Sequence, residues 1–315
     1  MSMDSQVRST LIIGTRGSQL ALWQAEWVQG QLKQMAPDLS VVLKRIQTSG
    51  DKIQDVPLAK VGGKGLFVKE IEEALLRKDI DLAVHSMKDL PAVLPSGLQI
   101  MCIPEREDPR DALLSRDEKK LDALPLGARV GTSSLRRQSQ LLHARPDLHI
   151  EMLRGNVDTR LRKLHENHFD AIVLAASGLK RLGWDQQITE YLPIDVSLPA
   201  IGQGALGIEG REDDGFVQDL VSRLEHRPTR VTVTAERTFL ARLEGGCQVP
   251  IAGHAVLEGE ELTLDGLVAS VDGTRYVRYS LSGSAQEAEF LGTKVAEELL
   301  ERGAHLILQE IYGVS

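Results

Sequence analysis

The chain has 315 residues, 42% of them hydrophobic and 26% charged, which is the composition of a globular protein with two or three domains. Its formal net charge is −8 and only 4% of its residues are aromatic, so we expect no nucleic acid and no anionic membrane as a partner. The two cysteines are too few for a disulfide framework and the polar N-terminus has no signal-peptide core, so we predict a cytoplasmic protein.

The first 90 residues alternate short apolar runs with helical patterns. Apolar runs at 10–13, 41–46 and 81–84 predict strands, and helical periodicity predicts helices over 19–35 and 65–78. The polar stretch 47–57 contains chain breakers and has little periodicity, so we expect a mobile loop there.

The middle of the chain repeats this order. Strands predicted over 128–130, 149–153 and 170–173 alternate with helices that end near residues 144 and 166. Each half has a Gly-Thr pair after its first strand and closes on an apolar strand that begins with Asp. This repeat indicates two similar α/β domains that face each other, with ligands bound at the strand ends between them.

The last part of the chain changes character. A helix predicted over 233–243 leads to two glycines and Cys247, and alternating segments follow, with hairpin signals at Glu258-Gly259 and Asp272-Gly273. A closing helix is predicted over 284–302. Together these patterns predict a small α+β domain.

Basic residues are concentrated in one window of this acidic chain. From Arg129 to Lys163 there are eight basic and three acidic residues, a balance of +5, which leaves −13 for the rest. A cation in the first turn of a helix is mildly unfavourable unless an anion lies beside it. Four arginines are predicted at such turns: Arg136, Arg137, Arg154 and Arg160. For others, such as Arg145, a solvated surface is the simpler interpretation.

The first half contributes cations at equivalent places. Arg16 and Ser18 lie in the turn after the first strand, and Lys88 follows the strand predicted over 81–84. Lys60 and Lys64 flank a glycine pair before a helix. Cations at so many strand ends predict a ligand with several separated carboxylates or phosphates.

Two further residues suggest chemistry. Asp89 is the lone acid that the sequence places within this basic wall, either as a turn residue before Pro91 or as a carboxylate that stabilises a cation formed during a reaction. Cys247 is either a small buried hydrophobe or a covalent attachment point. Cys102, inside an apolar run, is interpreted as a buried hydrophobe.

Two motif matches lack their structural context. Residues 202–207 match G-x-G-x-x-G, but no strand–turn–helix pattern surrounds them. His165 and His168 have no third ligand nearby, so we predict no metal site.

Six motifs occur together in a distinctive order. They are GTRGSQLA at 14–21, VGGKGLF at 61–67, HSMKDLP at 85–91, GTSSLRR at 131–137, LRGNVDTR at 153–160 and EGGC at 244–247. Together they resemble the porphobilinogen deaminase family, also called hydroxymethylbilane synthases, over almost the whole chain.

This resemblance implies an architecture. It implies two α/β domains like type II periplasmic binding proteins, over residues 1–104 with 203–224 and over 105–202. It also implies a C-terminal α+β domain over 225–315 with a three-stranded antiparallel sheet. The crossovers near 105–110 and 197–204 would act as hinges.

The resemblance also implies an activity. The family joins four porphobilinogen molecules head to tail, releases ammonia at each step, and frees the linear tetrapyrrole hydroxymethylbilane. The chain grows on a dipyrromethane cofactor, which would be attached by a thioether to Cys247. Porphobilinogen would be the small-molecule partner and the protein a monomer, without metal, nucleic acid or membrane.

Matching the motifs position by position assigns roles to residues. Those implied in catalysis are Asp89, Arg16, Lys88, Arg154 and Arg160. Those implied in cofactor binding, besides Cys247, are Ser18, Lys88, Asp89, Thr132, Ser134, Arg136, Arg137, Arg154 and Gly155. Those implied in substrate binding are Arg16, Lys60, Phe67, Arg154, Arg160, Arg181 and Gln203. Asp89 would bind pyrrole N–H groups and stabilise the azafulvenium cation left when ammonia departs.

Two other functions would use some of the same residues. A non-enzymatic anion-binding protein of the periplasmic type would need no Cys247 and would normally carry an export signal. An enzyme acting on sugar phosphates would use the same helix termini but would not explain Asp89 and Cys247 together.

Overall fold

The computed structural model describes residues 8–52, 65–243 and 249–313. Cys247 and Lys60 lie outside these residues, as do positions 53–57 of the predicted loop. The remaining predicted site residues all lie within the described ranges.

The first sheet combines parallel and antiparallel strands. Its strands are β1 (Thr10–Thr15), β2 (Ser40–Arg45), β3 (Leu82–Ser86), β4 (Leu98–Cys102) and β10 (Leu206–Arg211). They lie in the order β2-β1-β3-β10-β4. β1 pairs in parallel with β2 and β3, whereas β10 is antiparallel to both β3 and β4. The first three strands therefore end at one edge of the sheet.

The second sheet has the same arrangement. Its strands are β5 (Asp111–Ser115), β6 (Arg129–Gly131), β7 (His149–Glu151), β8 (Ala171–Ala175) and β9 (Glu190–Tyr191). They lie in the order β7-β6-β8-β5-β9, with β6 parallel to β7 and β8 and with β5 antiparallel to β8 and β9. The internal repeat inferred from the sequence is therefore confirmed as a repeated sheet topology.

Helices cover these two sheets. They are α1 (Gln19–Met35), α2 (Ser49–Lys52), α3 (Lys69–Leu76), α4 (Leu135–Ala144), α5 (Val157–His165), α6 (Ala176–Arg181) and α7 (Gly215–Val221). The apolar face of α1 buries Val28 and Leu32 in the same core as Leu11 and Ile13 of β1. Full burial of such side chains contributes about 1.5–3 kcal/mol each.

The C-terminal part forms the predicted α+β unit. It contains α8 (Arg227–Arg242), β11 (Ile251–Glu258), β12 (Glu261–Ala269), β13 (Tyr276–Ser284), α9 (Ala288–Leu299) and α10 (His305–Tyr312). The strands form an antiparallel sheet in sequence order, and both hairpin turns carry a glycine at positive φ, Gly259 and Gly273. A Cβ on Gly292 would lie 2.4 Å from the carbonyl oxygen of Ala235, so α8 and α9 pack closely. The predicted fold class is confirmed.

Several element boundaries differ from the predictions. The helix predicted over 233–243 begins six residues earlier, because Pro228 is well tolerated in a first helical turn. The helix predicted over 284–302 ends at Leu299, and after a turn in which Gly303 has φ +102° the chain continues as α10. β5 and β10 were not predicted. Each interrupts the apolar pattern of a buried strand with buried charged residues, Asp111 in β5 and Glu209 and Arg211 in β10.

A buried carboxylate ties the C-terminal unit to both crossovers between the sheets. Glu236 of α8 is 0% exposed, and its Oε1 accepts a hydrogen bond from Arg106 Nη1 at 2.6 Å. Its two oxygens also accept from the backbone N–H groups of Gly202 (2.6 Å) and Ala255 (2.9 Å). Burial would raise the pKa of Glu236, but Arg106 and His254 lower it to about 2.

We expect Glu236→Ala to lower the free energy of unfolding by about 3–5 kcal/mol, because it leaves the Arg106 guanidinium without its buried counter-ion. The matched control is Glu260→Ala, which removes an ion pair to Arg227 of the same helix whose two side chains are 59% and 60% exposed. The control should cost about 1 kcal/mol or less. Equal losses in chemical denaturation would show that Glu236 does not clamp the crossovers.

Candidate functional site

The predicted cations lie where the parallel strands of the two sheets end. In the first sheet Arg16 follows β1, and Lys88 and Asp89 follow β3 in a short helical turn, Met87–Asp89. In the second sheet Thr132 follows β6, Arg154 follows β7 and Arg181 lies in α6, directly after β8. The carboxyl ends of such strands are where ligands of open α/β sheets bind.

Gln203 joins the two strand edges. Its side chain is fully buried, and its Nε2 donates to the carbonyl oxygen of Pro109 at 2.6 Å and to Asp111 Oδ1 at 3.0 Å. Its Oε1 lies 3.4 Å from both Lys88 Nζ and Arg137 Nη2. One amide therefore connects a cation of the first sheet to a cation of the second. Gln203 is a predicted substrate-binding residue, and in the structure its side-chain amide forms hydrogen bonds with other residues of the protein.

Asp111 is a buried acid that the sequence interpretation missed. It is 0% exposed, and it accepts hydrogen bonds from Arg136 Nη1 at 2.7 Å, Arg137 Nε at 2.9 Å and Ser197 Oγ at 2.8 Å. Burial would raise the pKa of the Asp111 carboxyl, but the two guanidiniums hold it well below its usual range. The anion beside these two helix-terminal arginines is thus the protein's own carboxylate.

The idea that Asp89 is the lone acid in the basic wall was therefore wrong. Asp111 pairs with Arg136 and Arg137, and Asp51 pairs with Arg16. The sequence did contain a signal for Asp111. The apolar residues 112–114 predict a strand, and Asp111 directly precedes them, as Asp81 and Asp170 precede two other strands.

Lys88 and Asp89 lie among several other charges. Burial and the nearby Arg137 lower the pKa of Lys88 to about 8, against the opposing effects of Asp89 and Asp111. Burial and the like charges of Arg137 and Arg154 lower the pKa of Arg160 to about 10, and Asp89 again opposes them. Asp89 thus lies within electrostatic range of cations from both sheets.

The loop after β7 presents Arg154 and Arg160 from a glycine turn. Gly155 has φ +109°, and a Cβ there would lie 2.6 Å from Thr159 Cγ2, so a side chain is excluded. Its carbonyl oxygen accepts from Arg160 Nε at 2.8 Å. Within the described ranges, the buried Nη2 of Arg154 has no hydrogen-bond partner. A buried guanidinium nitrogen of this kind is suited to an anionic ligand.

The predicted hydroxyl ligands cap helices in the structure. Ser18 Oγ accepts from the backbone N–H of Ala21 at the start of α1, and Ser134 Oγ accepts from that of Arg137 at the start of α4. Thr132 Oγ1 accepts from the N–H of Ser134 at 3.2 Å. These bonds fix the first helical turns at the strand edges.

Arg181 lies at the boundary between the two sheets. Its guanidinium is buried and donates from Nη2 to the carbonyl oxygen of Gly204 at 2.6 Å, and burial lowers its pKa to about 10. It also lines a cavity of about 510 Å³ between α1 and α6, together with residues that include Gln19, Trp23 and Glu26.

Arg16 is held on two sides. Its Nη2 lies 2.5 Å and its Nε 3.1 Å from Asp51 Oδ1. The ring centroid of Phe67 lies 4.3 Å from its Cζ, a cation–π contact. The structure therefore brings Arg16 and Phe67, two predicted substrate-binding residues, into contact.

The described part of the chain has neither a membrane-spanning helix nor a metal-binding cluster. No helix there is both long and apolar enough to cross a membrane. Nor do three His, Cys, Asp or Glu side chains form a group able to hold a metal ion there.

The chain matches two family models. One, described as porphobilinogen deaminase, dipyromethane cofactor binding domain, covers residues 11–219, and the other, porphobilinogen deaminase, C-terminal domain, covers 230–301. The chain is 60% identical over 302 residues to the porphobilinogen deaminase of Geobacter metallireducens, which covers 96% of this chain and 95% of the relative. It is 62% identical over 300 residues to that of Syntrophotalea carbinolica, with 95% of each covered.

Similar solved structures include the periplasmic VFT2 domain of Bordetella pertussis BvgS. The TM-score is 0.42 at 12% identity, covering 69% of this chain and 87% of that chain.

We expect Lys88 to titrate near pH 8 in the Cys247→Ala variant, because burial and Arg137 disfavour its charged form. After reductive methylation with ¹³C-formaldehyde, one lysine signal should change shift near pH 8, while exposed lysines titrate at about pH 10. Lys88→Arg should remove this signal. If all lysine signals titrate together at about pH 10, burial and Arg137 do not lower the pKa of Lys88.

Proposed function

This chain belongs to the porphobilinogen deaminase family, and from that premise we propose which of its residues carry the reaction. Its activity is the synthesis of a tetrapyrrole from porphobilinogen on a dipyrromethane cofactor. The observation that carries the residue assignments is that cations follow the strands of both sheets and that one amide, Gln203, lies 3.4 Å from Lys88 of the first sheet and from Arg137 of the second.

The residues present fit a cofactor that carries several carboxylates. The unpartnered, buried Nη2 of Arg154 is suited to one of them. Arg136 and Arg137 both pair with the carboxylate of Asp111, so these three side chains together retain a net positive charge. We propose that these arginines and Lys88 hold the acid groups of the cofactor, with Ser18, Thr132, Ser134 and Gly155 shaping the turns around it.

We further propose that Cys247 is the point of attachment. It lies outside the described residues, so the support is its EGGC motif at 244–247 and the burial of the second cysteine, Cys102, within the first core. When bound, the cofactor supplies the pyrrole end to which new units are joined.

Asp89 is the proposed catalytic acid residue. Its carboxylate would accept a hydrogen bond from the substrate pyrrole N–H and stabilise the positive charge that develops as ammonia leaves. Two unit charges about 4 Å apart, at an effective dielectric constant of about 20, interact by about 4 kcal/mol. An interaction of that size made only in the transition state corresponds to about a thousandfold in rate.

The carboxylates of porphobilinogen would be bound by cations at the strand ends of both sheets. We propose Arg16, Arg154, Arg160 and, from a less distinctive sequence context, Arg181 for this role. Phe67 would lie beside the pyrrole because it already packs on Arg16. Gln203 would act through Lys88 and Arg137, whose orientation it sets. Lys60 remains a proposed ligand from its motif alone.

Domain boundaries, oligomeric state and location are also proposals. We propose the three domains with the boundaries implied by the resemblance, and the presence of β10 (Leu206–Arg211) in the first sheet supports the assignment of 203–224 to the first domain. We propose a monomer, and we propose a cytoplasmic location for an enzyme of tetrapyrrole synthesis.

Intact-mass spectrometry tests the attachment. In protein made by a host that produces porphobilinogen, we expect an added mass equal to two pyrrole units, because the thioether survives denaturation. The addition should disappear in Cys247→Ala and persist in the matched variant Cys102→Ala. Unmodified wild-type protein, or an adduct retained in Cys247→Ala, would contradict the assignment.

Removing the Asp89 carboxylate tests its catalytic role. Asp89→Ala should fold and carry the cofactor, but turnover of porphobilinogen should fall by about a thousandfold, because the developing cation loses its counter-charge. The control is Asp38→Ala, at an exposed position outside any helix or strand of the first domain. Rates within a few fold of wild type in Asp89→Ala would remove this residue from the mechanism.

A further inference from the structure

The guanidinium of Arg16 is already paired with a carboxylate of the same chain. Arg16 follows β1, and Asp51 lies in α2, just beyond the end of the neighbouring parallel strand β2. Asp51 Oδ1 lies 2.5 Å from Nη2 and 3.1 Å from Nε of Arg16. One carboxylate oxygen therefore covers the edge of the guanidinium that binds carboxylates.

The second oxygen of Asp51 has a separate set of bonds. Asp51 Oδ2 accepts from Thr48 Oγ1 at 2.8 Å and from the Thr48 backbone N–H at 3.3 Å. These two bonds do not involve Arg16. The Asp51 carboxylate therefore keeps partners when the guanidinium turns to another anion.

The turn that carries Asp51 also packs against Phe67, the ring that contacts Arg16. A Cβ on Gly50 would lie 2.3 Å from the ring of Phe67, so this turn lies directly against the ring that covers Arg16. Ser49 adds a bond from its backbone N–H to Glu70 Oε1 at 2.8 Å. Asp51 is thereby fixed in place opposite Arg16.

We propose that Asp51 is an internal competitor of the substrate: its carboxylate occupies Arg16 until a carboxylate of porphobilinogen replaces it. This inference rests on the proposed role of Arg16 in substrate binding. The exchange replaces one arginine–carboxylate pair by another, so it neither creates nor removes charge at the guanidinium. Asp51 thus sets the affinity for porphobilinogen without taking part in bond formation.

The exposure of the pair sets the size of the effect. The side chains of Arg16 and Asp51 are 20% and 23% exposed, so water can solvate the displaced carboxylate. Partly exposed ion pairs of this kind are weak, which corresponds to a competition of about two- to fivefold in apparent affinity. A pair this weak is readily displaced, yet it lowers substrate affinity measurably.

Steady-state kinetics of the cofactor-loaded enzyme distinguish competition from orientation. In Asp51→Asn the shape of the side chain and an acceptor for Thr48 are kept, while the negative charge is lost. We expect KM for porphobilinogen to fall about two- to fivefold with kcat within about twofold of wild type. The matched control is Asp38→Asn, which removes the charge of an exposed acid of the same domain outside any helix or strand and should leave KM unchanged.

The same measurement in an Arg16→Gln background separates the inference from its premise. Arg16→Gln should raise KM, and adding Asp51→Asn should then have no further effect, because the competed guanidinium is gone. An unchanged or raised KM in Asp51→Asn, with a raised KM in Arg16→Gln, would overturn the competition alone. A wild-type KM in Arg16→Gln would overturn both the role of Arg16 and the competition.

Discussion

The arrangement of cations between the two sheets depends on the ion pairs of one buried carboxylate, Asp111, with Arg136 and Arg137. Two guanidiniums side by side in a protein interior repel each other and lose their hydration, which is strongly unfavourable without a counter-ion. Asp111 supplies that counter-ion to Arg136 and Arg137 at once. Gln203 donates a hydrogen bond to the same carboxylate and accepts one from Lys88. Asp111 is therefore linked to two arginines of the second sheet directly and to a lysine of the first sheet through Gln203.

The connection between the sheets uses a second buried acid in the same way. Glu236 pairs with Arg106 and accepts from the backbone of Gly202, so one side chain of the C-terminal unit holds both crossovers. Any change in the angle between the two sheets must therefore either preserve these hydrogen bonds or break them. The C-terminal unit is in this way connected by hydrogen bonds to both segments that join the two sheets.

Much of the fold was predictable because it follows from local patterns. Apolar runs marked the parallel strands, and glycines at Gly259 and Gly273 marked both hairpins, since positive φ in a tight turn strongly favours glycine. β5 and β10 were missed because they contain buried charges, such as Asp111 and Arg211, whose hydrogen-bond partners lie far away in the sequence. No local pattern reveals such a pairing.

The site was predictable in its composition more than in its connections. The sequence placed Arg16, Arg154 and Lys88 at strand ends, and there they lie. It did not identify Asp51 or Asp111, because an acid that pairs with an arginine distant in the chain has no signature in sequence. Pairing between distant segments decides which guanidiniums are already occupied and which, like that of Arg154, retain an unpartnered nitrogen.

A crystal structure of the cofactor-loaded enzyme tests most directly whether these cations exist to hold carboxylates. We expect the acid groups of the cofactor within hydrogen-bond distance of Arg154 and of the Arg136–Arg137 cluster, with the pyrrole nitrogens facing Asp89. A cofactor whose acid groups point to solvent, with these guanidiniums bonded only to protein atoms, would contradict that explanation.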